Sequence, residues 1–231
     1  MRTHSYGAMR KVSARDFAYA EIKEQIIKGT LEPDSPIVED HLATDLEISR
    51  TPLREALHRL EVEELVVRQN NGRLKVAPIS KKEVEEIFTV RSKLEGIVVM
   101  QATENATDED LFHLTNITRM IKESLKEGHR ENVLVYGSEF HSYIYELSNH
   151  KTAVGILSQL NDHIHRYRQL IPLRNEERLE DSYEEHQAIL NEIAARNPGA
   201  AKVAAQYHID QSLEAVKESI EHIQASIKKE T

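Results

Sequence analysis

Three histidines have the residue type and spacing for metal chemistry. His141 shares a helical stripe with Leu134, Gly137 and Ile144. His186 lies with Leu179, Tyr183, Leu190 and Ile193, and His208 with Ala201, Ala204, Ala205, Ser212 and Ala215. An imidazole turned toward an apolar interior must find a partner or cost about 1–3 kcal/mol. Three neutral imidazoles arriving from three helices form a donor set for zinc, with nickel or manganese as alternatives, and leave a coordination position open. Spacing by itself slightly favours three separately hydrogen-bonded core histidines over a shared ion. A metal-dependent hydrolase at such a site would also need a general base beside the bound water. The stripe neighbours are Leu, Ile, Ala, Gly, Ser and Tyr, so an enzyme is disfavoured.

A second set of residues suits double-stranded DNA. On a helix beginning near Thr51, Arg50 and Arg54 are four apart and project opposite Leu53, Leu57 and Leu60. Guanidiniums at the outward N-terminal end of a helix match the paired acceptors of guanine in the major groove. Ser49 and Thr51 can donate to phosphate, aided by the backbone N–H groups of the helix start. Gly72 lets a hairpin tip approach the duplex, with Arg73 and Lys75 placed for phosphate or minor-groove contact. Exposed arginines are often only solvated charges, but here a capped helix and a hairpin occur in the order such a reading element needs.

Positioning these residues requires two kinds of element. Tyr19, Ile22 and Ile26 mark a first helix ended by Gly29. Val38, Leu42 and Leu46 predict a short second helix. Thr51-Pro52 supplies an N-cap and first-turn proline for a third helix that buries Leu53, Ala56, Leu57 and Leu60. Leu65–Arg68 and Arg73–Val76 flank an Asn-Gly turn, a strong hairpin signal. Three helices plus a β-hairpin predict a winged helix-turn-helix over residues 1–78. From Lys81 onward only helical periodicity appears, in spans 81–104, 107–127, 130–148, 151–171, 176–196 and 198–227. The fold class is therefore mainly α, with an all-α helical bundle over residues 79–231.

Composition sets the outer bounds. The chain has 231 residues, 30% of them charged, no cysteine and a formal charge of -9. Without cysteine there is no disulfide scaffold and no thiolate chemistry, which fits a reducing, cytoplasmic setting. No apolar run approaches the roughly 20 residues needed to cross a bilayer, so no membrane partner is expected. Residues 1–78 carry 12 Lys/Arg against 13 Asp/Glu, whereas residues 79–231 carry 18 against 26. The acid thus lies mostly in the helical part. Arg2, Arg10, Lys11 and Arg15, and again Arg68, Arg73 and Lys75, form basic runs free of acid, as a phosphate-facing surface requires.

The run Ile48-Ser49-Arg50-Thr51-Pro52-Leu53-Arg54-Glu55-Ala56-Leu57, followed by Arg59-Leu60-Glu61, resembles the GntR family of bacterial transcription regulators. The all-helical remainder is similar to its FadR-type branch, whose C-terminal part is the FCD domain. The likeness runs from about Asp16 over nearly the whole chain. It implies a homodimer on an inverted-repeat operator, with a small carboxylate effector in the helical domain modulating DNA affinity. It also implies a metal held by an Asp-x-x-x-His pair and two further histidines, at the places of Glu139-Phe140-His141, Glu185-His186 and Tyr207-His208. Gly137 stands where that aspartate would be, and Glu139, two residues back, points to another helix face. Three neutral ligands remain, which lowers the expected affinity and leaves more positive charge for an anionic effector.

The resemblance also places Arg91 and Glu95 in an Arg-x-x-Leu-Glu pattern. Arg91 is then a candidate bidentate clamp for the effector, with a plain i, i+4 ion pair to Glu95 as the equal alternative. Asp40 is acidic where some relatives place a basic DNA contact, and is left out of the contact set. His163, His165, Arg166 and Arg168 read as a polar surface or pocket rim, and Tyr143, Tyr145 and Tyr167 as packing residues.

Overall fold

A computed structural model describes residues 13–168 and 176–230. The basic residues Arg2, Arg10 and Lys11 lie outside the described residues. The contacts divide the chain into two compact units between Ile79 and Ser80.

In the first unit, α1 (Ala14–Ile27), α2 (Glu39–Asp45) and α3 (Arg50–Val62) pack beside a small antiparallel sheet of β1 (Pro36–Ile37), β2 (Val66–Arg68) and β3 (Leu74–Val76). Helix α1 starts at Ser13, whose hydroxyl accepts from the Asp16 amide, and ends before Gly29 at φ +76°. Ile22, Ile26, Leu53, Leu57, Leu60, Leu65 and Val76 close a common core. The hairpin pairs Val66 with Val76 and Arg68 with Leu74, and Gly72 takes φ +79° at its tip.

Three details depart from expectation. The sheet has a third strand, β1, pairing Ile37 with Leu74 in the order β1-β3-β2. Two residues are too few to show a period. Helix α3 begins at Arg50 with Ser49 at the N-cap position, so Thr51 lies within the first turn rather than capping it. Val38, expected on the buried side of α2, is 45% exposed because it sits at the N-cap position, before the helical stripe begins.

Among the described residues the elements of the second unit are all helices: α4 (Lys81–Asn105), α5 (Asp108–Lys126), α6 (Arg130–Ser148), α7 (Lys151–Arg168), α8 (Glu176–Ala194) and α9 (Pro198–Glu230). Its boundaries follow local chemistry. Ser80 caps α4, a Thr107–Asp110 capping box opens α5, Gly128 turns at φ +72°, and Asn149 closes α6 in the left-handed region. Helix α4 packs against α9, α6 and α7. At its close approach to α9, a Cβ on Gly96 would lie 3.1 Å from the Gln206 and Lys202 side chains. Val98, Leu114, Phe140, Ile144, Leu157, Ile189 and Ile193 fill the core. Among the described residues no helix is long and apolar enough to cross a membrane.

A polar clasp joins α1 to the end of α3. Tyr19 donates to Glu63 at 2.7 Å, Lys23 Nζ donates to the same carboxylate at 3.0 Å, and the Arg59 guanidinium lies 3.6 Å over the Tyr19 ring. Burial acts to raise the Glu63 carboxyl pKa, but hydrogen bonds from Tyr19 and Lys23 hold it below the ordinary 4.5. A depressed folded-state value means that this contribution is complete above about pH 4.5 and is lost as pH falls through the folded value. Glu63→Gln is expected to cost about 1 kcal/mol at neutral pH and to flatten the acid side of the stability curve, measured by urea denaturation followed through tyrosine emission.

Candidate functional site

The three histidines meet inside the second unit. His141 comes from α6, His186 from α8 and His208 from α9, and none is more than 5% exposed. One ring nitrogen of each lies within 4.8 Å of the others, and the Nε2 atoms of His141 and His208 are 3.2 Å apart. A cation about 2.0–2.1 Å from each of two nitrogens would set them roughly 3.0–3.4 Å apart, depending on coordination geometry.

The outer contacts determine which nitrogens face inward. His186 Nδ1 is 2.6 Å from the Ser182 carbonyl, which can only accept, so Nδ1 carries the hydrogen and Nε2 is the donor atom left for an ion. His208 Nδ1 is 2.6 Å from Glu185 Oε2, and His141 Nδ1 is 3.3 Å from Glu95 Oε2. Each carboxylate is backed by an arginine. Arg178 makes two 3.0 Å bonds to Glu185, and Arg91 Nε donates to Glu95 at 3.1 Å. Burial acts to raise the Glu95 carboxyl pKa, but the facing His141 and Arg91 charges and the Tyr145 hydroxyl bring it down to about 2. Burial raises that of Glu185 despite Arg178.

This donor set fits a divalent ion: two ring tautomers are held by carboxylates and one by a carbonyl. The expectation that no carboxylate lies beside the histidines needs correction, because Glu95 and Glu185 both touch them. Helical spacing could not reveal these contacts, which cross from α4 to α6 and from α8 to α9. Both carboxylates meet Nδ1, on the side of the ring away from the facing Nε2 atoms, and so serve to orient rings rather than to act as a base on the ion's open side. Gly137, at the place of the expected aspartate, is buried on α6 and brings no ligand.

Other side chains fall as follows. Arg91 is 2% exposed and forms the i, i+4 ion pair with Glu95. Tyr145 does more than pack, since its hydroxyl donates to Glu95 at 2.5 Å, while Tyr143 donates to Asp110 at 2.6 Å. His163 and Arg166 are not a surface patch: Arg166 is buried, as is Tyr167, and His163 Nδ1 lies 3.5 Å from Glu83. The Arg168 side chain lies outside the described residues.

In the first unit, Ser49, Arg50, Thr51 and Arg54 are all exposed at the start of α3, and Gly72 and Arg73 at the hairpin tip. Ser49 makes no side-chain cap bond, which leaves its hydroxyl suited to a phosphate. Lys75 is half-buried and paired with Asp34. Arg68 fixes the wing by a fork onto Glu61, at 2.9 and 2.8 Å, and by a 3.1 Å bond to the Gly72 carbonyl.

Glu185→Gln keeps an acceptor but removes the charge behind His208. Zinc affinity, measured by chelator competition, is expected to fall about 10–100-fold, with helical content unchanged.

The sequence matches the FCD domain family over residues 86–211 and the gntR family of bacterial regulatory proteins over residues 14–76. It is 31% identical over 155 residues to the HTH-type transcriptional regulator McbR of Escherichia coli (strain K12), covering 67% of this chain and 70% of that protein. It is 26% identical over 204 residues to the HTH-type transcriptional regulator YdhC of Bacillus subtilis (strain 168), covering 88% and 91%. The solved structure of E. coli McbR/YncC is similar at a TM-score of 0.74 and 24% identity, over 90% of this chain and 98% of that one. A GntR transcriptional regulator from Rhodococcus sp. RHA1 gives 0.71 at 19% identity, over 89% and 98%. These two structural likenesses concern the fold, a winged helix-turn-helix followed by a helical domain. The chain belongs to the GntR family of bacterial transcriptional regulators and carries an FCD domain.

Proposed function

We propose that this regulator binds a palindromic double-stranded operator as a homodimer in the cytoplasm, and that a small carboxylate bound at a metal site in the FCD domain sets its DNA affinity. The observation that carries the sensing half is the convergence of His141, His186 and His208 with every Nδ1 held by an acceptor. A divalent ion there, zinc with nickel or manganese as alternatives, would supply Lewis acidity toward an anionic group. Three neutral imidazoles leave the ion's charge largely available for that purpose. Arg91 is the proposed cationic contact for the effector carboxylate. Relatives from Bacillus are named as repressors of a gluconate operon, which supports small hydroxycarboxylates as the first class to test.

For the reading half, Arg50 and Arg54 address guanine edges, while Ser49, Thr51, Gly72, Arg73 and Lys75 hold the backbone. The hydrolase alternative finds no support in the geometry, because both nearby carboxylates are committed to the outer sides of the rings.

Two outcomes test the reading. A panel of small carboxylates at about a hundredfold over Kd should raise unfolding stability by about 2.7 kcal/mol with zinc present, and not after chelation. A panel with no metal-dependent shift would contradict the sensing half. Arg50→Ala and Arg54→Ala should each cost about 1–3 kcal/mol of discrimination between a selected duplex and mixed-sequence DNA, read by fluorescence anisotropy at fixed salt. Equal loss on both duplexes would contradict base reading.

A further inference from the structure

The two reading arginines do not stand alone. Arg50 Nη2 lies 2.8 Å from Asp40 Oδ1, and Arg54 Nε lies 2.7 Å from Glu39 Oε2. Glu39 and Asp40 open α2, where acids favour the positive end of the helix dipole, and Val38 before them provides no side-chain cap. With Arg50, Arg54, Gly72 and Arg73 they line one cleft of about 650 Å³. The reading surface therefore carries one carboxylate for each arginine. The Arg50 and Arg54 side chains are 62% and 63% exposed, and each ion pair alone contributes less than about 1 kcal/mol. Their strength is not what matters. A carboxylate fixed on this surface stays within a Debye length of the phosphates whenever DNA is bound.

We propose that Glu39 and Asp40 are specificity-determining residues, which neutralise Arg54 and Arg50 toward random phosphate surface while leaving the Arg54 fork able to read a base and letting Arg50, met by Asp40 at Nη2, do so by exchanging that carboxylate for a base edge. An arginine already balanced by a carboxylate displaces few counterions from the duplex, so it adds little to sequence-independent binding. A base edge offers a different exchange. Glu39 holds Arg54 by Nε, which leaves the two Nη nitrogens, the pair that O6 and N7 of guanine require. Asp40, acidic where a basic phosphate contact would raise affinity for any sequence, gives up general affinity for discrimination. The inference rests on the DNA-reading role proposed above.

The test compares full-length protein with Asp40→Asn, Glu39→Gln and the double variant on two probes. One is a 30-base-pair mixed-sequence duplex; the other is the best-bound duplex that the unmodified protein selects from a random library. For the double variant, mixed-sequence binding should tighten about three- to tenfold near 0.1 M salt, and its log–log salt slope should steepen by up to about 2 per chain. The selected duplex should gain less, so the ratio of affinities falls. Helical content by circular dichroism should be unchanged in all three variants, which separates counter-charge from a role in starting α2. An unchanged mixed-sequence slope overturns the inference, and so does equal weakening on both probes, the mark of a damaged α2. Failure of the unmodified protein to enrich any duplex overturns the operator reading itself, and this inference with it.

Discussion

At 3.2 Å the Nε2 atoms of His141 and His208 must either share a hydrogen or face a common cation, and this constraint organises the interior of the helical domain. His141 and His208 are set in that position by hydrogen bonds on their far sides, to Glu95 and Glu185. Each carboxylate is in turn held by a buried or half-buried arginine, Arg91 or Arg178. Two Arg–Glu–His chains thus run inward to the same point, and His186, held by a carbonyl, completes the set. Buried charges of this kind stabilise only when every member is matched. The chains bind α4 to α6 and α8 to α9, so a cation at their meeting point would bear on the packing of four helices at once.

The DNA-reading unit solves a different electrostatic problem. Its net charge is nearly balanced, yet its reading surface must attract a polyanion. It places arginines at the start of α3 and at the wing, and fixes the wing through Arg68, Glu61 and the Gly72 carbonyl. Carboxylates beside Arg50 and Arg54 restrain the attraction. Local arrangement, not total charge, decides what such a surface binds.

Much of this was readable from residue spacing. The apolar stripes of the long helices, the Asn-Gly turn and the separators Gly128 and Asn149 carry strong local signals, and the six helices of the second unit lie close to where periodicity places them. The three inward histidines were visible for the same reason. Strand β1 was not, because two residues show no alternation. The contacts of Glu185 and Glu95 with the histidines escaped notice because the partners are 23 and 46 residues apart, on different helices, and no helical spacing links them. Arg166 reads as a surface residue by type, yet it is 3% exposed on α7. Burial of a charged group depends on tertiary packing that a single helix does not encode.

The most direct test of the shared-ion site is long-range nitrogen–proton NMR of the histidine rings at neutral pH, recorded as one equivalent of zinc is added per chain. The account predicts that His141, His186 and His208 shift together and saturate at one equivalent, each with its hydrogen on Nδ1 and Nε2 as the ligand atom. Three rings that titrate independently, or a ring that binds through Nδ1, would contradict it.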